Sequence, residues 1–374
     1  MLRCDFKRTV LWTALCVLAG KAVIFAQTDA NPQSTLLAEA ADARSRNEIP
    51  RAIELYSQAV QVNPNLPDAW WFLGSLQYAT GAYAPAKNAL SHYLELMPKA
   101  APAFALRGLC EFETGEYSES LADIQHGISL GAANEPRNEQ ILRYHEGMLM
   151  TQLGNFEGAL NTYGFFAKTD ISNPDLFIAT GMAGLRIPLL PKDAAPDQRD
   201  LLSAAGEAAY QFMAGKESLA AQSFGELFAR FPKARNAHFL YGYLLFATDP
   251  DAALDEFKKE LSLFPSNADA TVMTAWSLLI QNRAGDALPY ARKAVESEAS
   301  NPTAELVLGR SLLETGEVNG GMEHLRKVLQ TDPNNLEAHL ALAKAYSKSG
   351  HYEEARHERM MCLQLTSETV VANP

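Results

Sequence analysis

The chain has 374 residues, a formal net charge of −12 and 47% hydrophobic residues. That apolar content is enough for a continuous core and excludes global disorder, while the length exceeds one ordinary domain and suits an array of small units. The acidic balance excludes nucleic acid as a general partner, because neutralising phosphates needs clustered Lys and Arg.

Residues 1–26 read as an export signal: Arg3, Lys7 and Arg8 form a basic start, Thr9–Gly20 is apolar, and Ile24-Phe25-Ala26 ends on a small residue before Gln27. The apolar run is shorter than the roughly 20 residues of a membrane span, and Lys21 interrupts its extension. Cleavage near Ala26 gives a periplasmic or secreted mature chain without a membrane span. The alternative is a chain anchored in a membrane by residues 9–26. Cys4 and Cys16 fall in this segment, and Thr13-Ala14-Leu15 lacks the small residue that a lipid-attachment site needs just before Cys16. Cys110 and Cys362 remain, far apart and without a CxxC spacing, so two lone buried thiols are expected.

Residues 27–186 read as a first array of helix pairs. The first pair, 33–66, carries Leu36, Ala40, Ala52, Tyr56 and Pro64. The second, 67–100, is the most complete: Trp70-x-x-Leu73-Gly74, Gly81-x-Tyr83, Ala86-x-x-x-Leu90 and Pro98. Trp70, Leu73 and Gly74 lie three and four apart, hence on one helix face. Gly74 has no side chain to hold a second helix away. Gly81 turns the chain, Ala86 and Leu90 face back from the second helix, and Pro98 closes it. Ala52 to Ala86 and Pro64 to Pro98 are both steps of 34 residues. This pattern resembles the tetratricopeptide repeat, W-x2-L-G-x2-Y…A-x3-F…P with a period of 34, except that Gln77 stands at the Tyr place and Leu90 at the Phe place.

The pattern recurs. Residues 101–134 carry Phe104, Gly108, Gly115 and Tyr117, each 34 after its counterpart. After a small insertion at Glu135–Glu139, residues 140–173 carry Gly147, Gly154, Phe156, Ala159 and Tyr163. Asp175–Arg186 reads as one more first helix, with no partner. Residues 187–200 follow as a connector in which Pro188, Pro191 and Pro196 forbid a regular helix. It reads as an insertion loop, with a hinge or partner contact as the alternative.

The second array spans 201–369. Gly215, Ala220, Phe224 and Pro232 mark its first repeat, and Gly242, Ala253, Phe257 and Pro265 mark a second that is one residue short. Asn282 and Ala287, then Gly309, Gly316 and Leu325, then Tyr346, Gly350 and Ala355 mark the rest. That makes about nine repeats and an unpaired helix, with residues 370–374 as a tail and disorder expected from Thr366. No stretch alternates with period two long enough for a sheet, so the fold expected is all-α, an α-solenoid of antiparallel helix pairs.

Catalytic signatures are missing. Gly215-Lys216 lacks the preceding Gly of a phosphate-binding loop, and neither G-x-S-x-G nor H-E-x-x-H occurs. His351, Glu354, His357 and Glu358 read as a solvated helix start rather than a metal site, which needs three or four convergent ligands. The reading is a non-enzyme with no cofactor and no metal.

The resemblance implies that first helices line a concave groove. By the family's pattern the groove places hold Trp71, Ser75, Tyr78, Phe112, Tyr144, Met148, Phe239, Tyr243, Phe246, Trp276, Arg310 and Lys344. Some relatives grip a terminal carboxylate with Lys, Asn and Arg. Matching places in the first three repeats hold Leu37, Ala41, Phe72, Pro102 and Leu106, so that clamp is missing there. Aromatics with a few cations suit extended or helical peptide segments; the bland alternative is that these aromatics pack between helices. The function expected is an exported scaffold that binds protein or peptide partners and supports complex assembly in the cell envelope. The alternative is a recognition subunit of an envelope enzyme complex, for example one acting on glycans.

Overall fold

A computed structural model describes residues 32–298 and 301–372; the expected export signal lies outside the described residues. The described chain holds nineteen α-helices and no strand. It divides into two compact units between Arg199 and Asp200.

The N-terminal unit contains four antiparallel pairs. They are α1 (Pro32–Ser45) with α2 (Ile49–Val62), α3 (Pro67–Ala79) with α4 (Tyr83–Leu96), α5 (Ala101–Thr114) with α6 (Tyr117–Ser129), and α7 (Pro136–Gln152) with α8 (Phe156–Lys168). Helix α9 (Pro174–Gly184) then packs on α7 and α8 without a helical partner. Short 3-10 turns at Pro191–Asp193 and Pro196–Gln198 take the place of that partner, and the first contacts α9. Leu190 and Ala194 are buried, and the Arg199 guanidinium donates to the Pro191 carbonyl at 3.2 Å. The connector is thus packed down by apolar side chains. The insertion expected at 135–139 begins α7, which becomes a 17-residue helix with Pro136 in its first turn.

The C-terminal unit contains five pairs. They are α10 (Arg199–Met213) with α11 (Glu217–Arg230), α12 (Ala237–Leu245) with α13 (Pro250–Leu263), α14 (Ala268–Ile280) with α15 (Ala284–Ser297), α16 (Pro302–Thr315) with α17 (Val318–Thr331), and α18 (Leu336–Lys348) with α19 (Tyr352–Ala372). The last helix continues past Leu365, where the sequence suggests a disordered tail; Thr366–Ala372 contains neither Gly nor Pro to stop it.

Local rules account for these boundaries. Asn side chains cap four first helices, for example Asn173 accepting from the Leu176 amide at 2.9 Å and Asn335 from Ala338 at 3.0 Å. The turn inside eight of the nine pairs, all but the short α12–α13 turn at 246–249, uses a left-handed residue. Asn47, Gly81 and Gly115 supply it at 34-residue steps with φ of 61°, 80° and 86°, as do Asn282, Gly316 and Gly350 with 59°, 96° and 78°. Small residues let the paired helices meet. Ala40, Ala52, Ala69, Ala86 and Ala103 are all completely buried between helices.

One outward contact also repeats. Trp70 lies 4.6 Å from His92 in α4, and 34 residues on, Phe104 meets His126 edge-on at 4.4 Å. Neighbouring first helices touch as well, α3 with α5 in one unit, and α12 with α14, α14 with α16 and α16 with α18 in the other. That proximity puts first helices on the inner side of each stack.

Candidate partner-binding faces

In the N-terminal unit the expected groove residues separate into two groups. Tyr78, Phe112 and Tyr144 are half-buried on the first helices. Tyr78 meets Tyr83 at 5.6 Å, and Phe112 lies between Tyr117 at 6.1 Å and His145 at 4.9 Å. Burial pushes the Tyr78 and Tyr144 hydroxyls well above their ordinary range, so both stay neutral donors. Ser75 is half-buried, and its hydroxyl is spent on the Trp71 carbonyl at 2.8 Å.

Trp71 and Met148 instead belong to the interior. Trp71 is 9% exposed and packs with Tyr93 of α4 and with Ala103, Leu106 and Cys110 of α5. Its large ring reaches the next first helix, so close stacking of repeats closes over it. Met148 is buried as well, next to the fully buried Leu149 of α7. Cys110 is buried too, its thiol pushed up to about 12 by desolvation, which makes it an inert small hydrophobe.

In the C-terminal unit Phe239 is likewise a core residue. It packs 5.7 Å from the fully buried Phe257, and its backbone N–H points at the Glu260 carboxylate, 3.4 Å away. Tyr243 and Phe246 are half-buried around the same cluster. Trp71, Met148 and Phe239 therefore correct the expected groove set: they offer their bulk to neighbouring helices rather than to a ligand.

Trp276, Arg310 and Lys344 occupy one place in three successive repeats, on α14, α16 and α18. The structure brings the first two together and leaves the third open. The Arg310 guanidinium lies over the Trp276 ring at 5.3 Å and pairs with Glu337 at 2.8 Å. Lys344 is exposed. Arg310 and Lys344 line a concavity of about 330 Å³ together with Leu313, Glu314, Leu340 and Lys348. Leu340 and Lys348 stand outside the groove places that the repeat pattern marks. Their signal was present, since they stand one turn before and one turn after Lys344.

No group of three or more His, Cys, Asp or Glu able to hold a metal is found among the described residues, and no described helix is long and apolar enough to cross a membrane. Glu358 is engaged by His339 Nδ1 at 2.5 Å.

Three family matches fall on these units. Residues 43–81 match the family described as TPR repeat, residues 243–305 that described as tetratricopeptide repeat, and residues 280–358 that of anaphase-promoting complex, cyclosome, subunit 3. No curated protein matches the chain. Among solved structures, MamA 41-end from Desulfovibrio magneticus RS-1 is 18% identical, with a TM-score of 0.41, over 45% of this chain and 96% of its own. YrrB, described as a TPR protein with an unusual peptide-binding site, is 20% identical, with a TM-score of 0.40, over 46% and 90%. A tetratricopeptide-repeat model thus matches one segment of each unit, residues 43–81 in the first and 243–305 in the second, and both segments hold antiparallel helix pairs with left-handed turns.

Proposed function

We propose that the protein is an exported, non-enzymatic scaffold in the cell envelope, whose units bind segments of partner proteins along the faces of their first helices. One observation carries this reading. Each unit repeats a helix pair and stacks its first helices side by side, which leaves one long face with half-buried aromatics and, at Lys344, an exposed cation. Such a face suits a peptide held by apolar anchors, with polar contacts setting its register. Nothing in it assembles a nucleophile, a base and an orienting group. The export part of the reading rests on residues 1–26, and no membrane span or cofactor is required of the mature chain.

Photo-crosslinking tests the face. A crosslinking side chain placed at Trp276 or at Lys344 captures bound segments, whereas one at Glu95 or Glu226, exposed on second helices, does not. Partner crosslinks confined to the second-helix sites would remove the first-helix face from the account.

A further inference from the structure

The concavity between α16, α17 and α18 holds two cations that no described side chain neutralises. Lys344 and Lys348 lie one turn apart on α18, both exposed, and neither has an ion-pair partner among the described residues. The third cation, Arg310, is already tied to Glu337 at 2.8 Å. Glu314 is the remaining carboxylate of the lining. Leu340, one turn before Lys344, is 52% exposed although it faces the same hollow. Leu340, Lys344 and Lys348 thus make one wall at four-residue spacing, apolar at one end and cationic along the rest. This wall stands out in a chain of net charge −12.

We infer that this concavity binds a protein segment in which an apolar side chain is followed by carboxylates. The inference rests on the first-helix face being the partner-binding face and names the chemistry of the occupant. A volume of about 330 Å³ is at the small end for a binding pocket and takes a large apolar side chain, not a folded element. That side chain covers Leu340 and Leu313, and the carboxylates that follow reach Lys344 and Lys348. A basic segment would meet like charge on the whole lysine wall, so the site discriminates by sign. The cations are water-exposed, so salt screens their attraction. Carboxylates within the segment suffice, and a free chain terminus is not required.

The test uses the full chain and an array of short fluorescent peptides with both termini blocked, each carrying a leucine followed by Glu, Gln or Lys residues. The Glu peptides bind, and binding weakens by about tenfold in Lys344→Ala/Lys348→Ala and at high salt. Leu340→Ser also weakens it, and Glu314→Gln tightens it by removing the competing carboxylate. All four substitutions are at exposed side chains, and circular dichroism checks that the fold is kept. Equal binding of Gln or Lys peptides, or unchanged binding in the double lysine variant, overturns the inference, as does the failure of every peptide to bind. Crosslinks from Trp276 to partners would then still stand for the first-helix face, so the two readings fail separately.

Discussion

The Glu260 carboxylate, buried completely near the end of α13, accepts the backbone N–H of Asn236 at 2.8 Å. It also accepts from Asn267 Nδ2 at 3.0 Å, and that amide reaches the Asn236 side-chain oxygen at 2.8 Å. Asn236 sits in the left-handed region at φ 66° just before α12. The carboxylate therefore does from a distance what a local cap does elsewhere, at the helix start where the repeat is one residue short.

Glu260→Ala removes the buried acceptor shared by the Asn236 N–H and the Asn267 amide and destabilises the C-terminal unit by about 3 kcal/mol. Glu260→Gln keeps one acceptor and loses less. Chemical denaturation of both variants against wild type reads the difference.

A Cβ built on Gly147 lies 2.5 Å from Cε1 of Tyr163, a fully buried ring. Gly147→Ala forces that ring to move and costs about 1–3 kcal/mol. Gly225→Ala is the opposite case: a Cβ there meets nothing within 4 Å on an exposed face of α11. It stabilises by about 0.5–1 kcal/mol through helix propensity. Thermal melts that rank the two variants the other way would contradict the packing described.

Burial raises the Glu111 carboxyl from 4.5 to about 7, and the negative Asp123 adds to the effect. Arg107 relieves it only partly, because its guanidinium is committed to Asp123 at 2.5 and 2.8 Å and stays 3.9 Å from Glu111. A carboxyl raised by folding favours the folded state when protonated. Its contribution is present below 4.5, falls as pH rises, and is gone above about 7. Glu111→Gln therefore raises the melting temperature at pH 8, by about 2–4 °C, and leaves it nearly unchanged at pH 4. Paired melts at the two pH values check the sign.

Asn282 holds φ 59° at the turn where the two following repeats use glycine. Asn282→Ala places an ordinary Cβ in the left-handed region and costs about 1–2 kcal/mol, whereas Asn282→Gly costs far less. Equal melting temperatures for the two variants would show that the turn is not held in that conformation.

N-terminal sequencing of the protein recovered from its native host is expected to begin near Gln27. A chain that still starts at residue 1 in the membrane fraction would replace the cleaved signal with an anchor over residues 9–26.

Most of the fold was legible because its rules are local. Gly81, Gly115 and Asn282 mark left-handed turns, Pro64 and Pro98 mark helix ends, and a 34-residue step ties them together. The face was less legible. Trp71 and Tyr78 are both aromatics at groove places of α3, yet one is closed over by α5 while the other stays half-buried. Periodicity assigns a side of a helix, and it cannot say how far a large ring reaches toward the next one.

Helix pairs, their turns and their antiparallel order follow from the amino-acid order alone, since each depends on residues within one or two helical turns of one another, and their number follows from the 34-residue recurrence. Which side chains meet across repeats is settled by three-dimensional packing: Glu260 with Asn236, Arg310 with Trp276 and Glu337, and the wall of Leu340, Lys344 and Lys348 facing a hollow. Those contacts depend on the separation and rotation between stacked helices, which are set by the summed packing of many side chains.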